Sequence, residues 1–342
     1  MIDFVARISC MTYNHAPYIS DAMNGFVMQK TNFPFVCTIV DDASTDGEQE
    51  VIKEYVQEHF DLQDSSISYE KDTDYGHVTF ARHKTNKNCY FAIVYLKENH
   101  YSQKKSKAPY LTEWRDTKYI ALCEGDDYWT DPLKLQKQVD YLESHPDCVM
   151  STHSVDWDAK EVKHNWKCHH DKECDLTTEE CIRNGGLYTS TCSMVFRKEL
   201  NDDRPEWRKK ANIGDLPLQI LATLRGKLHF SPETMGVYRY LLEGSWTSLH
   251  QMDQNANLEY ARNKIMWLGL LDKDTGFMYS KAIYSHLFRY YNRLYKAGEI
   301  GFLTYLRAVM KADEKHYKRA FKDFLIKHGK PIYRLWKKKA ER

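Results

Sequence analysis

Hydrophobic and polar positions along the first seventy residues alternate between two periods. Residues 4–10 form a short apolar run that suits a strand. After Pro17, Ile19, Ala22, Met23, Phe26 and Val27 recur at helical spacing and give one apolar face. The pattern then repeats. Residues 35–40 read as a second strand, Thr45 and Glu48 fit a capping box, and Val51, Ile52, Tyr55 and Val56 continue a helix. Residues 67–70 predict a third, shorter strand. Strand and helix in this alternation imply a parallel sheet with right-handed crossovers.

A further apolar run at 119–123 predicts a buried strand. It breaks at Glu124-Gly125, and Asp131 and Pro132 then read as the N-cap and first position of a helix carrying Leu135, Val139 and Leu142. Between these elements the pattern is ambiguous. Residues 91–96 fit a strand or part of a helix. The basic, aromatic stretch 76–118, with Lys104, Lys105 and Lys107, reads best as a solvated insertion, or else as a lid or acceptor-docking loop. Farther on, residues 148–157 suit a strand and 188–197 a loop and strand. Leu218, Leu221, Ala222 and Leu224 mark a short buried helix just after Asp215. From residue 255 the spacing becomes helical, with Leu258, Ala261, Ile265 and Leu268, then Ile283, Leu287 and Leu294, then Phe302, Leu306 and Val309. We therefore expect an α/β domain over 1–248 and a helical extension over 249–342.

Each predicted strand-to-helix turn carries polar groups: Thr12 to Asn14, then Asp41 and Asp42, then Asp126 and Asp127. The C-terminal edge of an open α/β sheet is where such folds hold ligands. An adjacent acid pair by itself is most often a solvated turn. Two neighbouring carboxylates repel, however, and are hard to keep ionised together without a cation. Oxygen-only ligands favour Mg²⁺ or Mn²⁺. The chain has neither a GxGxxG nor a GxxxxGK[ST] phosphate loop, so a nucleotide at this edge would be held by side chains and a metal.

Three segments in this order, TYNHAPYI (12–19), VDDASTDG (40–47) and EGDDYWTDP (124–132), resemble glycosyltransferase family 2. Within that family EGDDYW is similar to bacterial members that build surface polysaccharides. The resemblance spans residues 4–248. It implies a GT-A fold and an inverting hexosyltransferase that draws on a nucleotide-sugar donor, most readily a UDP-hexose, with a divalent cation, Mn²⁺ or Mg²⁺. It also implies roles by position. Thr12, Tyr13 and Asn14 would line the nucleotide pocket, Asp42 would accept from the base, and Asp126 would reach the ribose or the metal. Asp127 would ligate the metal. Asp215 would be the base that takes the acceptor proton, although an acid just before a helix is equally an N-cap. Arg239 would suit the diphosphate. The family's His soon after Tyr-Arg is replaced here by Tyr240, Leu241 and Leu242, which leaves His250 as a possible further metal ligand. The implied acceptor is a hydroxyl of a growing glycan or a lipid-linked saccharide.

Charge adds two points. The 49 basic and 48 acidic residues nearly balance, so nothing global points to nucleic acid. From Lys311 to Arg342, twelve Lys or Arg face four Asp or Glu, and Tyr333 to Lys339 reads as an aromatic, basic tail suited to an anionic membrane surface. Nine cysteines, an odd number, read as reduced thiols of a cytoplasmic protein. The sequence shows no secretory signal pattern and no apolar run long enough to span a bilayer. His164, Cys168, His169, His170, Cys174 and Cys181 are zinc-type residues without paired zinc spacing, so they read as ordinary surface His and Cys. A nucleotidyltransferase and a catalytically silent carbohydrate-binding module remain the rival readings.

Overall fold

The structure is a computed structural model that describes residues 2–158, 170–240, 253–317 and 320. The chain forms two compact units. One comprises Met1–Leu176, Leu187–Asp202 and Ala222–Leu242; the other comprises Thr177–Gly186, Asp203–Leu221 and Glu243–Arg342. The units interleave along the chain, and Asp215 belongs to the second.

The first unit is built on a twelve-stranded sheet. It opens with strand β1 (Ala6–Thr12), helix α1 (Ile19–Val27), strand β2 (Phe35–Asp41) and helix α2 (Glu48–His59). There follow β3 (Phe60–Asp61), β4 (Tyr69–Asp72), β5 (Gly76–His83), β6 (Cys89–Leu96), β7 (Tyr119–Leu122), β8 (Tyr128–Trp129) and helix α3 (Lys134–Ser144). The unit closes with β9 (Cys148–Asp158), β10 (Cys174–Leu176), β11 (Val195–Arg197) and β12 (Lys227–Arg239). The strand order is β10-β12-β9-β11-β7-β1-β2-β6-β5-β3, with β4 on β5 and β8 on β12.

At the centre, β7, β1, β2 and β6 run parallel, so their C-terminal ends share one edge. Central parallel strands are covered on both faces and read as continuous apolar runs. β2 is buried at every position. Cys37 and Ile39 join the core that contains Met23 and Phe26 of α1 and Ile52 of α2, whereas Val36 and Val40 join a separate core with Val78, Val94 and Trp114.

The structure corrects the reading of residues 76–118. The third parallel strand is β6, buried along its whole length, and β5 pairs with it antiparallel. They are sheet core rather than a solvated insertion. The segment expected as the third strand begins at Tyr69 instead and lies on β5 at the periphery, antiparallel and mostly exposed. Lys-rich flanks masked the apolar run of β6. Two helix starts also differ. α2 begins at Glu48 behind a left-handed Gly47, without a capping box, because the Thr45 amide is taken by Asn14 and the Glu48 carboxylate turns toward β1. α3 begins at Lys134, and Asp131 accepts instead from the Leu133 amide and pairs with Lys137.

The second unit is helical: α4 (Thr178–Asn184), α5 (Glu206–Lys210), the first part of α6 (Asp215–Arg225), α7 (Gln254–Asp274), α8 (Ser280–Ala297) and α9 (Phe302–Val309). α4 carries a true capping box on Thr177 and Glu180. Tyr295 of α8 stacks on Tyr305 of α9 at 4.9 Å. Among the described residues, no helix is long and apolar enough to cross a membrane, and the eight described cysteines form no disulfide.

Candidate active site

Three turns leave the shared edge after β1, β2 and β7, and the side chains expected at that edge meet there. The β1 and β2 turns are tied together. The Asn14 amide donates to Ser44 Oγ at 2.9 Å, and Asn14 Oδ1 accepts from the Thr45 amide at 2.8 Å. Asn14 adopts φ of 58°, a left-handed turn that Asn tolerates. Glu48 lies behind this junction, fully buried. Its carboxylate accepts from the Thr12 hydroxyl, from the His15 amide at 2.9 Å and from Ser44 Oγ at 2.8 Å. Burial raises the Glu48 pKa, and the bonds from His15, Thr12 and Ser44 oppose that rise. Sequence reasoning placed Glu48 in a helix cap and passed over His15, yet both organise the edge. Thr12 is buried, whereas Tyr13 is left 42% exposed, free to face a ligand.

The acidic turn after β7 closes over Thr12. The Gly125 amide donates to the Met11 carbonyl at 3.1 Å, and a Cβ at Gly125 would fall 2.1 Å from Thr12 Oγ1. Only glycine permits this approach. Beside it, His15 Nε2 lies 3.8 Å from Asp126 Oδ2, with His15 Nδ1 3.1 Å from Thr12 Oγ1.

Asp127 is fully buried. One oxygen accepts from the Arg239 amide at 2.9 Å, the Cys192 thiol lies against the carboxylate, and Oδ2 has no closer hydrogen-bond partner among the described residues. Burial raises its pKa well above the ordinary carboxylate range, and the charges of Asp126 and Glu124 add to the rise. Oxygens of Glu124, Asp126 and Asp127 lie within 4.8 Å of one another. Three converging carboxylates, one with an orphan buried oxygen, are a hard-oxygen donor set that fits Mg²⁺ or Mn²⁺. Glu124 was not among the expected ligands; its place two residues before Asp126 gave no periodic signal.

Arg239 braces this turn from β12. Nη1 donates to the Asp126 carbonyl at 2.8 Å and Nη2 to the Asp21 carboxylate, with the guanidinium 4.9 and 4.5 Å from the rings of Tyr18 and Tyr128. Trp129 is packing beneath the turn. Its Nε1 donates to the Cys192 carbonyl at 2.7 Å, and its ring meets Phe26 edge-on. The Lys134 ammonium sits 3.6 Å from the centre of that ring, without a hydrogen-bond partner among the described residues, and burial pulls its pKa to about 7.

Asp42 is held by the chain that follows β6, the strand the sequence left undecided. Its oxygens accept from the amides of His100 at 2.8 Å and Tyr101 at 3.0 Å, and Lys107 Nζ pairs with it at 2.8 Å. The side chain is 3% exposed, so a base would reach this carboxylate only with residues 99–107 displaced. Asp42→Asn should loosen that segment. Trypsin should then cut after Lys104, Lys105 or Lys107 several-fold faster than in the native protein; an unchanged initial rate would show that Glu98–Lys105 and the neighbouring contacts hold the segment alone.

A groove of about 610 Å³ opens beside the β2 turn, lined by Ser44, Thr45, Lys53, His77, Tyr95 and Lys97 among others. Asp215 is the first residue of α6 in the second unit, where its charge acts on Arg208, Tyr260 and Lys264. His250, His164, Cys168, His169 and nearly all of the basic tail lie outside the described residues.

No protein-family model matches the chain. It is 32% identical over 253 residues to uncharacterized proteins of Mycobacterium bovis and Mycobacterium tuberculosis, a match that covers 71% of this chain and 61% of theirs. The chain thus spans about three fifths of the length of the curated relatives it matches. Among solved structures it resembles S. aureus TarS in complex with UDP-GlcNAc, with a TM-score of 0.53 and 14% identity over 93% of this chain and 79% of that one. It also resembles the mannosyltransferase PcManGT from Pyrobaculum calidifontis in complex with GDP-Man and Mn²⁺, with a TM-score of 0.50 and 13% identity over 98% and 88% of the two chains. At such identities the likeness is one of fold. The fold is GT-A-like, mixed α/β with a large central sheet flanked by helices.

Proposed function

We propose that this protein is a metal-dependent, inverting glycosyltransferase that moves a sugar, most readily a hexose from UDP, to a hydroxyl of a glycan or lipid-linked acceptor. The observation that carries the reading is the orphan Oδ2 of buried Asp127, with Glu124 and Asp126 converging on it at the ligand-bearing edge of a parallel sheet. A divalent cation held there by Asp127 and Asp126 would neutralise charge on the departing nucleoside diphosphate. Glu124 joins them as a ligand in our reading.

The chain's own residues have separable roles. Thr12, Tyr13 and Asn14 line the nucleotide, and Asp126 orients the ribose. Arg239 fixes the acidic turn through the Asp126 carbonyl and the Asp127 carboxylate, and it offers further N–H donors to the diphosphate. Asp215 takes the proton of the acceptor hydroxyl as the oxygen attacks the anomeric carbon from the face opposite the diphosphate. Asp42 binds the base once residues 99–107 move. Contact of residues 311–342 with an anionic membrane would bring a lipid-linked acceptor within reach.

The direct test is donor hydrolysis. A panel of UDP- and GDP-sugars is incubated with the protein, with Mn²⁺ or with a chelator, and free nucleoside diphosphate is measured. Mn²⁺-dependent release from one donor is expected, together with a thermal shift on the matching diphosphate. Binding without release would instead favour a carbohydrate- or nucleotide-binding module. Release of pyrophosphate from a nucleoside triphosphate and a sugar phosphate would favour a nucleotidyltransferase.

A further inference from the structure

His15 stands where the β1 turn meets the acidic turn, and its two ring nitrogens have different neighbours. Nδ1 lies 3.1 Å from Thr12 Oγ1, and Nε2 lies 3.8 Å from Asp126 Oδ2. The Thr12 hydroxyl has one proton, which it donates to the Glu48 carboxylate. The Thr12 oxygen is therefore left as an acceptor, so Nδ1 carries the hydrogen of the neutral ring. Nε2 then presents a lone pair on the side of Asp126. A carboxylate oxygen is an acceptor too. Two acceptors cannot bond each other, and 3.8 Å is beyond hydrogen-bond length in any case.

The residue is held from several sides. Its amide donates to the Glu48 carboxylate at 2.9 Å, and its carbonyl accepts from the amides of Tyr18 at 2.8 Å and Ile19 at 2.9 Å, at the start of α1. A Cβ at Gly125 would fall 3.1 Å from Nδ1, so the acidic turn also closes on the ring. Both groups stay within reach of a ligand. The His15 and Asp126 side chains are 21% and 17% exposed, whereas Asp42 is closed off. Two neighbouring acceptors fixed before a ligand arrives form a preorganised site for a molecule with two adjacent O–H donors. A single hydroxyl has one proton and satisfies one acceptor. A vicinal diol satisfies both.

We propose that His15 Nε2 and Asp126 together take the two vicinal hydroxyls of the nucleotide's ribose, so that His15 selects ribonucleotides over deoxyribonucleotides. This rests on the reading of this edge as a nucleotide site; it needs neither Asp215 nor turnover. The Thr12–Glu48 chain gives His15 its selectivity, because it keeps the hydrogen on Nδ1 and stops the ring from offering a donor at Nε2. A sugar that lacks the hydroxyl leaves the lone pair and the carboxylate facing one another. A site built to bond a hydroxyl rejects an analogue without one far more strongly than an apolar pocket rejects a missing methylene. His15 is in these terms a specificity-determining residue, and the cation stays with the acids.

The test is calorimetric titration, in the presence of Mn²⁺, with uridine and guanosine diphosphates and with their 2′-deoxy and 3′-deoxy forms. The native protein should bind one of the two ribonucleotides and lose about tenfold or more in affinity when either hydroxyl is absent. Two variants isolate Nε2. His15→Phe keeps a flat ring without lone pairs. His15→Asn keeps an N–H for Thr12 but is too short to reach toward Asp126. Each should weaken the ribonucleotide about tenfold while leaving one deoxy form nearly unchanged, so that discrimination at that hydroxyl vanishes. Discrimination at the other hydroxyl, held by Asp126, should persist. The thermal shift given by Mn²⁺ without nucleotide should be the same in the native protein and both variants. Loss of that shift in both would make His15 a support of the acidic turn and overturn the assignment. Equal native affinity for the ribonucleotide and its deoxy forms, or discrimination unchanged in both variants, overturns it as well and leaves the nucleotide site standing. No binding of either diphosphate to the native protein would retire the nucleotide reading and the ribose assignment with it.

Discussion

Asp127→Asn is expected to lower donor turnover by on the order of a thousandfold or more while raising the melting temperature of the cation-free protein. The two effects share one cause. Asp127 is sealed from water, one of its oxygens makes no close hydrogen bond among the described residues, and the neighbouring acids repel its charge. Its folded pKa lies above the unfolded value of about 3.9. The stability it gives as the neutral acid is therefore complete below that value and is lost as pH rises through the raised pKa. Ionising the group as pH rises weakens the cation-free fold. Asparagine keeps the shape and the bond from the Arg239 amide but removes the charge. Adding Mn²⁺ should stabilise the native protein more at about pH 8 than at about pH 5, and should leave Asp127→Asn unmoved. Thermal unfolding across pH, with and without Mn²⁺, checks both arms. Full turnover by the variant, or a lower melting temperature, would sink the role assigned to Asp127.

The parts of the fold written in one clear period were legible. α1 begins at Ile19, β2 at Phe35 and β7 at Tyr119, as their apolar spacing requires. β6 was hidden because a fully buried parallel strand has no alternation, and a short apolar run flanked by lysines also fits a helix or a loop. Missing β6 carried a second cost. The chain leaving it emerges at the same edge as Asp42 and provides that carboxylate's partners, which no local pattern around Asp42 could reveal.

Within the candidate site, the sequence pointed to residues on turns, since turn chemistry is local. It did not point to residues that support those turns from elsewhere. Glu48 satisfied a capping pattern, yet its carboxylate is spent on Thr12, His15 and Ser44. Arg239 was read from guanidinium chemistry alone, and much of its binding capacity goes to the acidic turn and Asp21. Long-range partners of this kind are set by packing, which residue spacing does not encode.

Gly125→Ala should be a damaging single methyl at the candidate site. The added carbon would fall 2.1 Å from Thr12 Oγ1, 2.7 Å from Thr12 Cβ and 3.1 Å from His15 Nδ1. The first two are rooted in a buried side chain whose hydroxyl is bonded to Glu48, so neither atom can swing away. The β7 turn must then move off β1, which breaks the Gly125 bond to the Met11 carbonyl and shifts Asp126 and Asp127 with it. Overpacking of a tight interior costs about 1–3 kcal/mol, and a displacement of about 1 Å at reacting groups costs about a hundredfold in rate. We expect both a lower denaturation midpoint and a loss of Mn²⁺-dependent turnover. The pairing with Thr12 is testable by a double-mutant cycle. Thr12→Gly removes both close atoms, so in the presence of Gly125→Ala it should cost much less stability than it does alone, with a coupling above about 1 kcal/mol. Strict additivity would mean that the turn relaxes by another route and that the contact with Thr12 does not set its position.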